Sequence, residues 1–195
     1  MERKSSDLTE AQEHTLFTVG DALLHIQTLE FVLSRCLTCV FPPEAEMTTD
    51  RLYALDAQNQ SKTLGQLLKT LRNTVEIEPE FDSRLRNYLE KRNLFVHGLF
   101  LDERFDFNTD EGCGKLTAFL DDVYDDVEYL RTVFTAVYAQ WRKALDGEEL
   151  GLENMSPTDR AKWEKYMEKH ESAEILTMRL KPGRTMGIGF FPSEI

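Results

Sequence analysis

The chain has 195 residues, 35 Asp and Glu against 23 Lys and Arg, and a formal net charge of -12, a balance that excludes a protein coating nucleic acid by wholesale phosphate neutralisation. With 41% hydrophobic and 10% aromatic residues it can bury a core of one domain's size, which excludes global disorder. No run reaches the roughly 18 consecutive apolar residues of a membrane span, and the polar start from Met1 to Asp7 carries no signal-peptide pattern, so a cytoplasmic protein without membrane partners is expected.

From Leu8 to Val40 the residues Leu16, Val19, Leu23, Ile26, Leu33, Leu37 and Val40 recur at helical spacing and predict one long amphipathic helix, ended by Phe41-Pro42-Pro43. A second set, including Leu24, Leu29, Phe31, Val32 and Cys36, widens the apolar stripe, as in a helix touching neighbours on two sides. Glu44 to Ser61 is expected to be a polar connector with at most a turn of helix. Leu64, Leu67, Leu68 and Leu71 define a short second helix. Pro79 suits the first turn of a third, where its missing N-H costs nothing, and this helix should run to about Phe100.

Asp102 to Gly114, acidic with glycines at its end, predicts a loop. The fourth helix is marked by Phe119, Val123, Val127, Leu130, Phe134, Val137, Trp141 and Leu145; Asp121, Asp122, Asp125, Asp126 and Glu128 lie on its opposite face, which reads as a solvated acidic surface. Beyond Asp146-Gly147, Ser156-Pro157 starts a short helix to about His170. Ile175 to Leu180 and Thr185 to Phe191 then form two extended runs around Lys181-Pro182-Gly183-Arg184, a type II turn and hence a β-hairpin that must dock on the helices or on another chain. The expected organisation is mainly α, with a helical bundle over 1-146 and an extension over 147-195.

Three cysteines exclude a disulfide framework as the organising device. Cys36-Leu37-Thr38-Cys39 has the spacing of redox and zinc motifs, but it lies in an unbroken helical pattern without the turn that converges two thiolates, and Cys113 stands alone. Buried apolar cysteines are the simpler reading. A zinc-dependent regulator using Cys36, Cys39 and a histidine is the remote alternative.

The third helix carries the chemistry. On a wheel of about 100° per residue, Leu85, Tyr88, Leu89, Phe95, Val96 and Leu99 fall within roughly 80° of Phe81, and Arg92 lands amid this stripe. A guanidinium cannot shed its proton, so a core or interface position obliges it to find an anion or carbonyls. Its simplest partner is one of the many carboxylates. His97 follows just outside the stripe, with Asn93 one turn earlier on its face and Gly98 after it.

Lys91-Arg92-Asn93-Leu94-Phe95-Val96-His97-Gly98 resembles the R-x(4 to 6)-H motif of HEPN domains, in the form with Asn after the Arg and Gly after the His. The match extends over roughly Leu8 to Leu145 in helix order. The resemblance implies a four-helix up-and-down bundle that forms a homodimer with facing motifs, needs no metal or cofactor, and cleaves RNA as a toxin, phage-defence or stress-response effector. It further implies that His97 is the general acid/base, that Arg92 stabilises charge on the phosphorane oxygens, and that Asn93 orients His97 or the phosphate. The Tyr that one toxin branch carries two residues after its motif His is Leu99 here, which points to control by a different antitoxin or regulatory protein, or by the extension. A non-catalytic HEPN dimer, binding a nucleotide or a protein, is the alternative.

Lys62 to His97 holds seven bases against five acids, net +2, and Leu101 to Glu128 two bases against ten acids, net -8. RNA affinity is therefore expected to be local to the motif helix and strengthened by a dimer.

Overall fold

A computed structural model describes residues 8–42, 48–146 and 178–180. The chain is mainly α: within those residues lie five α-helices and two short strands. Helix α1, Glu10–Arg35, starts on a capping box in which Thr9 Oγ1 accepts from the Gln12 N-H while the Gln12 side chain accepts from the Thr9 N-H at 2.9 Å. Its inner face is Ala22, Ile26, Leu29 and Leu33. The helix continues through a π-helical turn, Cys36–Val40, closed by Phe41 N-H donating to Cys36 O at 3.0 Å.

Helix α2, Thr49–Gln60, occupies the stretch expected to be a connector. It is held by polar groups, which leave no apolar periodicity to read. Asn59 is buried and donates to Thr38 Oγ1 at 2.9 Å, Thr38 donates to Ser34 O, and Asp56 pairs with Arg35 at 3.0 Å. Helix α3, Leu64–Thr74, begins on a second capping box, Thr63 with Gln66, and buries the four leucines assigned to its inner face.

Strand β1, Val75–Ile77, follows directly. It pairs antiparallel with β2, Met178–Leu180, in the register Val75↔Leu180, Glu76↔Arg179, Ile77↔Met178. The first run of the expected hairpin is thus tied to the chain between α3 and α4. The second run, the turn before it and the helix expected over 156–170 lie outside the described residues.

Helix α4, Pro79–Asn93, has Pro79 in its first turn. A π-helical turn, Leu94–Gly98, and two 3-10 turns, Leu99–Leu101 and Glu103–Phe105, lead out of it. Helix α5 spans Asp110–Asp146, so it begins inside the expected loop. Asp106 O accepts from both Thr109 N-H and Thr109 Oγ1, and Thr109 Oγ1 accepts from Gly112 N-H at 3.0 Å. Gly112 is required by close approach, because a Cβ there would run into the Asp106 carbonyl.

α1 packs most extensively on α5, burying Ile26, Leu29 and Leu33 in one cluster with Leu67, Leu71, Phe81, Leu120, Leu130 and Phe134. An 18-residue window within Glu10–Val40 is also apolar enough to cross a membrane, with mean hydropathy 1.3. Length and composition alone decide that test, which the core helix of a globular domain and a signal sequence pass as well; 22% of this window is buried.

Candidate functional site

The motif occupies the end of α4, where the geometry changes from α to π. Up to Tyr88 the α-helical wheel applies: Phe81, Leu85 and Tyr88 are buried. A π turn widens the helix by about one residue and rotates everything after it. Phe95 stays buried, but Val96, assigned to the inner stripe by the α-wheel, is exposed. In unbroken α geometry Arg92 and His97 would lie about 140° apart; the wider turn over Leu94–Gly98 reduces that angle and brings their faces closer. Asn93 and His97 are both exposed.

Arg92 is 17% exposed and pairs with Glu30 of α1: Nε donates to Glu30 Oε1 at 3.0 Å, and Nη2 stands 2.9 Å from the same oxygen. Nη1 reaches Asn93 Oδ1 at 3.4 Å. One edge of the guanidinium is therefore satisfied within the fold, while Nη1 is directed toward the exposed Asn93. Tyr88 lies fully buried beneath, and its hydroxyl has no hydrogen-bond partner among the described residues. Burial, then the Glu30 carboxylate, pushes its pKa up, and Arg92 opposes this. Among the described residues His97 has no hydrogen bond or ion pair, so both imidazole nitrogens are open to a ligand.

The acids of α5 are not simply a solvated surface. Asp126 is buried and bridges two cations of α4, accepting from Arg84 Nε at 3.0 Å and Lys91 Nζ at 2.7 Å. Asp122 takes the other side of Lys91 at 2.7 Å, and Arg84 also stacks 3.9 Å from the Tyr129 ring centre. Burial lowers the Lys91 pKa, but the bonds to Asp122 and Asp126 outweigh it and the net shift is upward. Only Asp121 and Asp125 of the five behave as the sequence suggests, exposed and without an ion pair among the described residues.

Beside the motif, Leu94, Gly98, Leu101, Asp102, Glu103 and Arg104 line an open depression of about 540 Å³. Hydrogen bonds from Arg104 hold the Asp102 carboxyl below its usual range, and Glu103 leaves the lining with one negative charge in excess.

Among the described residues the cysteines do not assemble a metal centre. Cys36 is buried and its thiol donates to Phe134 O, and burial first, then Cys39, pushes its pKa up, away from the thiolate that zinc requires. Cys113 is buried against Phe107 O. Among the described residues no group of three or more His, Cys, Asp or Glu is arranged to hold a metal ion.

The structure thus sets Arg92 against Asn93 at the end of α4 and leaves His97 exposed in the π-helical turn that follows. It adds Glu30, which sequence reasoning missed. The signal was present: Glu30 stands four residues after Ile26 and three before Leu33, an acid on the flank of the buried stripe. No protein-family model, no curated protein and no solved structure matches the chain.

Proposed function

We propose that this chain is a HEPN-like, metal-independent endoribonuclease working in the cytoplasm as a homodimeric toxin, phage-defence or stress-response effector. On this reading α1, α3, α4 and α5 are the four-helix bundle and α2 is an addition to it. The observation that carries the reading is the unpartnered, exposed His97 beside Asn93 and Arg92 at the π-helical end of α4. An exposed imidazole with both nitrogens open can take the proton of a ribose 2′-OH or deliver one to the 5′ leaving oxygen. Arg92, oriented by Glu30 along one edge, offers its Nη1 edge to the non-bridging phosphate oxygens, where negative charge grows in the transition state. Asn93 holds that edge in place. Cleavage by the neighbouring 2′-OH leaves a 2′,3′-cyclic phosphate and a 5′-OH. Two protomers divide the acid and base roles.

A second reading, a non-catalytic module binding a nucleotide or a protein, draws on a different observation: Arg84, Lys91 and Arg92 all carry carboxylate partners, which lowers the potential an RNA would meet. The experiment that separates the two is incubation of the full chain with end-labelled single-stranded RNA in EDTA. Cleavage to cyclic-phosphate ends, lost in His97→Ala and in Arg92→Ala, supports the enzyme. No cleavage by the wild type, or equal cleavage by both variants, removes it.

A further inference from the structure

Tyr88 is wholly buried, 0% exposed, yet its hydroxyl has no hydrogen-bond partner among the described residues. A buried tyrosine hydroxyl usually finds a partner, so an orphan in a packed core calls for a physical reason. Arg92 follows Tyr88 by four residues on α4, and a helical side chain leans over the turn N-terminal to its own Cα, so the Arg92 stem runs back over Tyr88. Glu30, facing them from α1, is only half used. Arg92 Nε donates to its Oε1 and Nη2 stands 2.9 Å from that same oxygen, while Oε2 takes no hydrogen bond among the described residues. Burial is the main reason the Tyr88 pKa is raised, and the Glu30 carboxylate comes next, ahead of Asp126, so Glu30 is the acid that bears most on the hydroxyl proton. An unused donor and an unused acceptor thus stand beside one ion pair.

We infer that Tyr88 is the standby partner of Glu30, donating its hydroxyl to that carboxylate when Arg92 turns its guanidinium to a ligand phosphate. The group then has two arrangements. At rest Glu30 holds the guanidinium and the Tyr88 hydroxyl goes unpaired. When an anion draws Arg92 outward along its Nη1 edge, Glu30, only 24% exposed, is left without its counter-charge, the unfavourable result of taking one member from a partly buried pair. The Tyr88 O–H fills the vacant place with a charge-assisted hydrogen bond, and the orphan hydroxyl is satisfied in the same step. A ligand shifts such an equilibrium only by binding one arrangement better than the other. Here the difference is the Nε and Nη2 edge, which the Tyr88-held arrangement frees for a second, parallel contact to phosphate. Tyr88 is therefore a positioning residue, acting on Arg92 through Glu30. Asp126 is a poorer acceptor for it, because Arg84 and Lys91 already occupy its two oxygens at 3.0 and 2.7 Å. The anion as trigger rests on the ribonuclease reading; the hand-over of Glu30 does not.

Thermal unfolding of the full chain tests the hand-over without RNA. Tyr88→Phe in the wild type removes only an unpartnered hydroxyl and should leave Tm unchanged or raise it by up to about 3 °C. In an Arg92→Met background, where Glu30 has lost its cation, the same substitution should lower Tm by about 2 to 4 °C, and in Glu30→Met/Arg92→Met that loss should vanish. Anisotropy of a labelled single-stranded RNA on the His97→Ala background reads the trigger. There Tyr88→Phe should bind about five- to tenfold more weakly while melting no lower, two changes that a purely structural hydroxyl does not give together. A wild type destabilised by Tyr88→Phe, no loss of Tm in the Arg92→Met background, a loss that persists without Glu30, or unchanged RNA affinity would each overturn the inference. A wild type that binds no RNA sinks the ribonuclease reading, and the reversal of sign in Arg92→Met still decides the hand-over.

Discussion

Glu30→Gln tests what Arg92 is for. The amide keeps an oxygen where Glu30 Oε1 now accepts from Nε and faces Nη2, so the guanidinium stays oriented while one negative charge disappears. A phosphate bound on the Nη1 edge would lie roughly 6 Å from that carboxylate; at an effective dielectric between 20 and 80 the repulsion removed is about 0.7 to 2.8 kcal/mol. Salt and the solvent on the open side of the pair move the value toward the lower end, so about 1 kcal/mol is expected, or roughly fivefold tighter binding. The assay is fluorescence anisotropy of a labelled single-stranded RNA on a catalytically silent His97→Ala background, repeated at two salt concentrations. Glu30→Gln should tighten binding, and Arg92→Ala should weaken it and flatten the salt dependence. Unchanged or weaker binding by Glu30→Gln would mean that the pair serves only to hold α1 on α4, and the phosphate role of Arg92 would be lost.

Removing the carboxylate that bridges Arg84 and Lys91, by Asp126→Asn, should destabilise the fold by about 2 kcal/mol, in the range for charge-assisted hydrogen bonds, and lower Tm by roughly 4 to 8 °C; a shift under 1 °C would show that the network contributes nothing. Because the folded Lys91 holds its proton above the unfolded value of about 10.4, its contribution is complete below that pH and is lost as pH rises through the folded value. Urea unfolding between pH 9 and 11.5 should therefore fall more steeply for the wild type than for Lys91→Met. Gly112→Ala drives a methyl into the backbone of Asp106 and should cost about 1 to 3 kcal/mol, whereas Gly114→Ala, two residues on with open space around it, should be neutral or slightly stabilising by thermal melting.

What the sequence revealed of this fold is what apolar periodicity encodes. Leu64, Leu67, Leu68 and Leu71, or Ile26, Leu29 and Leu33, place a helix and its inner face without further information. α2 escaped because its anchors are Asn59 and Asp56, residues whose polarity is ordinarily a sign of a loop and which here meet the buried Thr38 of the π-helical turn and Arg35 of α1. β1 escaped because three residues are too few for alternation, and its partner is a hundred residues away. At the candidate site Arg92 and His97 stand out from spacing and charge alone, and the expectation of a carboxylate partner for Arg92 is met by Glu30. The exposure of Val96 could not be read, because a wheel at 100° per residue presumes the α geometry that ends at Asn93.

The pairing on α4 also changes what the charge balance means. The surplus of bases between Lys62 and His97 suggests a positive strip available to RNA, yet Arg84 and Lys91 are engaged by Asp126 and Asp122, Arg72 by Asp82, and Arg92 by Glu30. A strip neutralised in this way gives little long-range steering. Whatever anion the site accepts must therefore be captured at short range, by the Nη1 edge of Arg92 beside Asn93 and the open imidazole of His97, and not gathered by the field of the whole helix. A low salt slope follows, on the order of one or two phosphate contacts per site. Duplicating the site in the proposed homodimer would raise affinity for an RNA long enough to reach both motifs without raising the slope for one that reaches only one. Short and long single strands compared at matched salt would distinguish these cases, and equal affinity for both would show that the two motifs act alone.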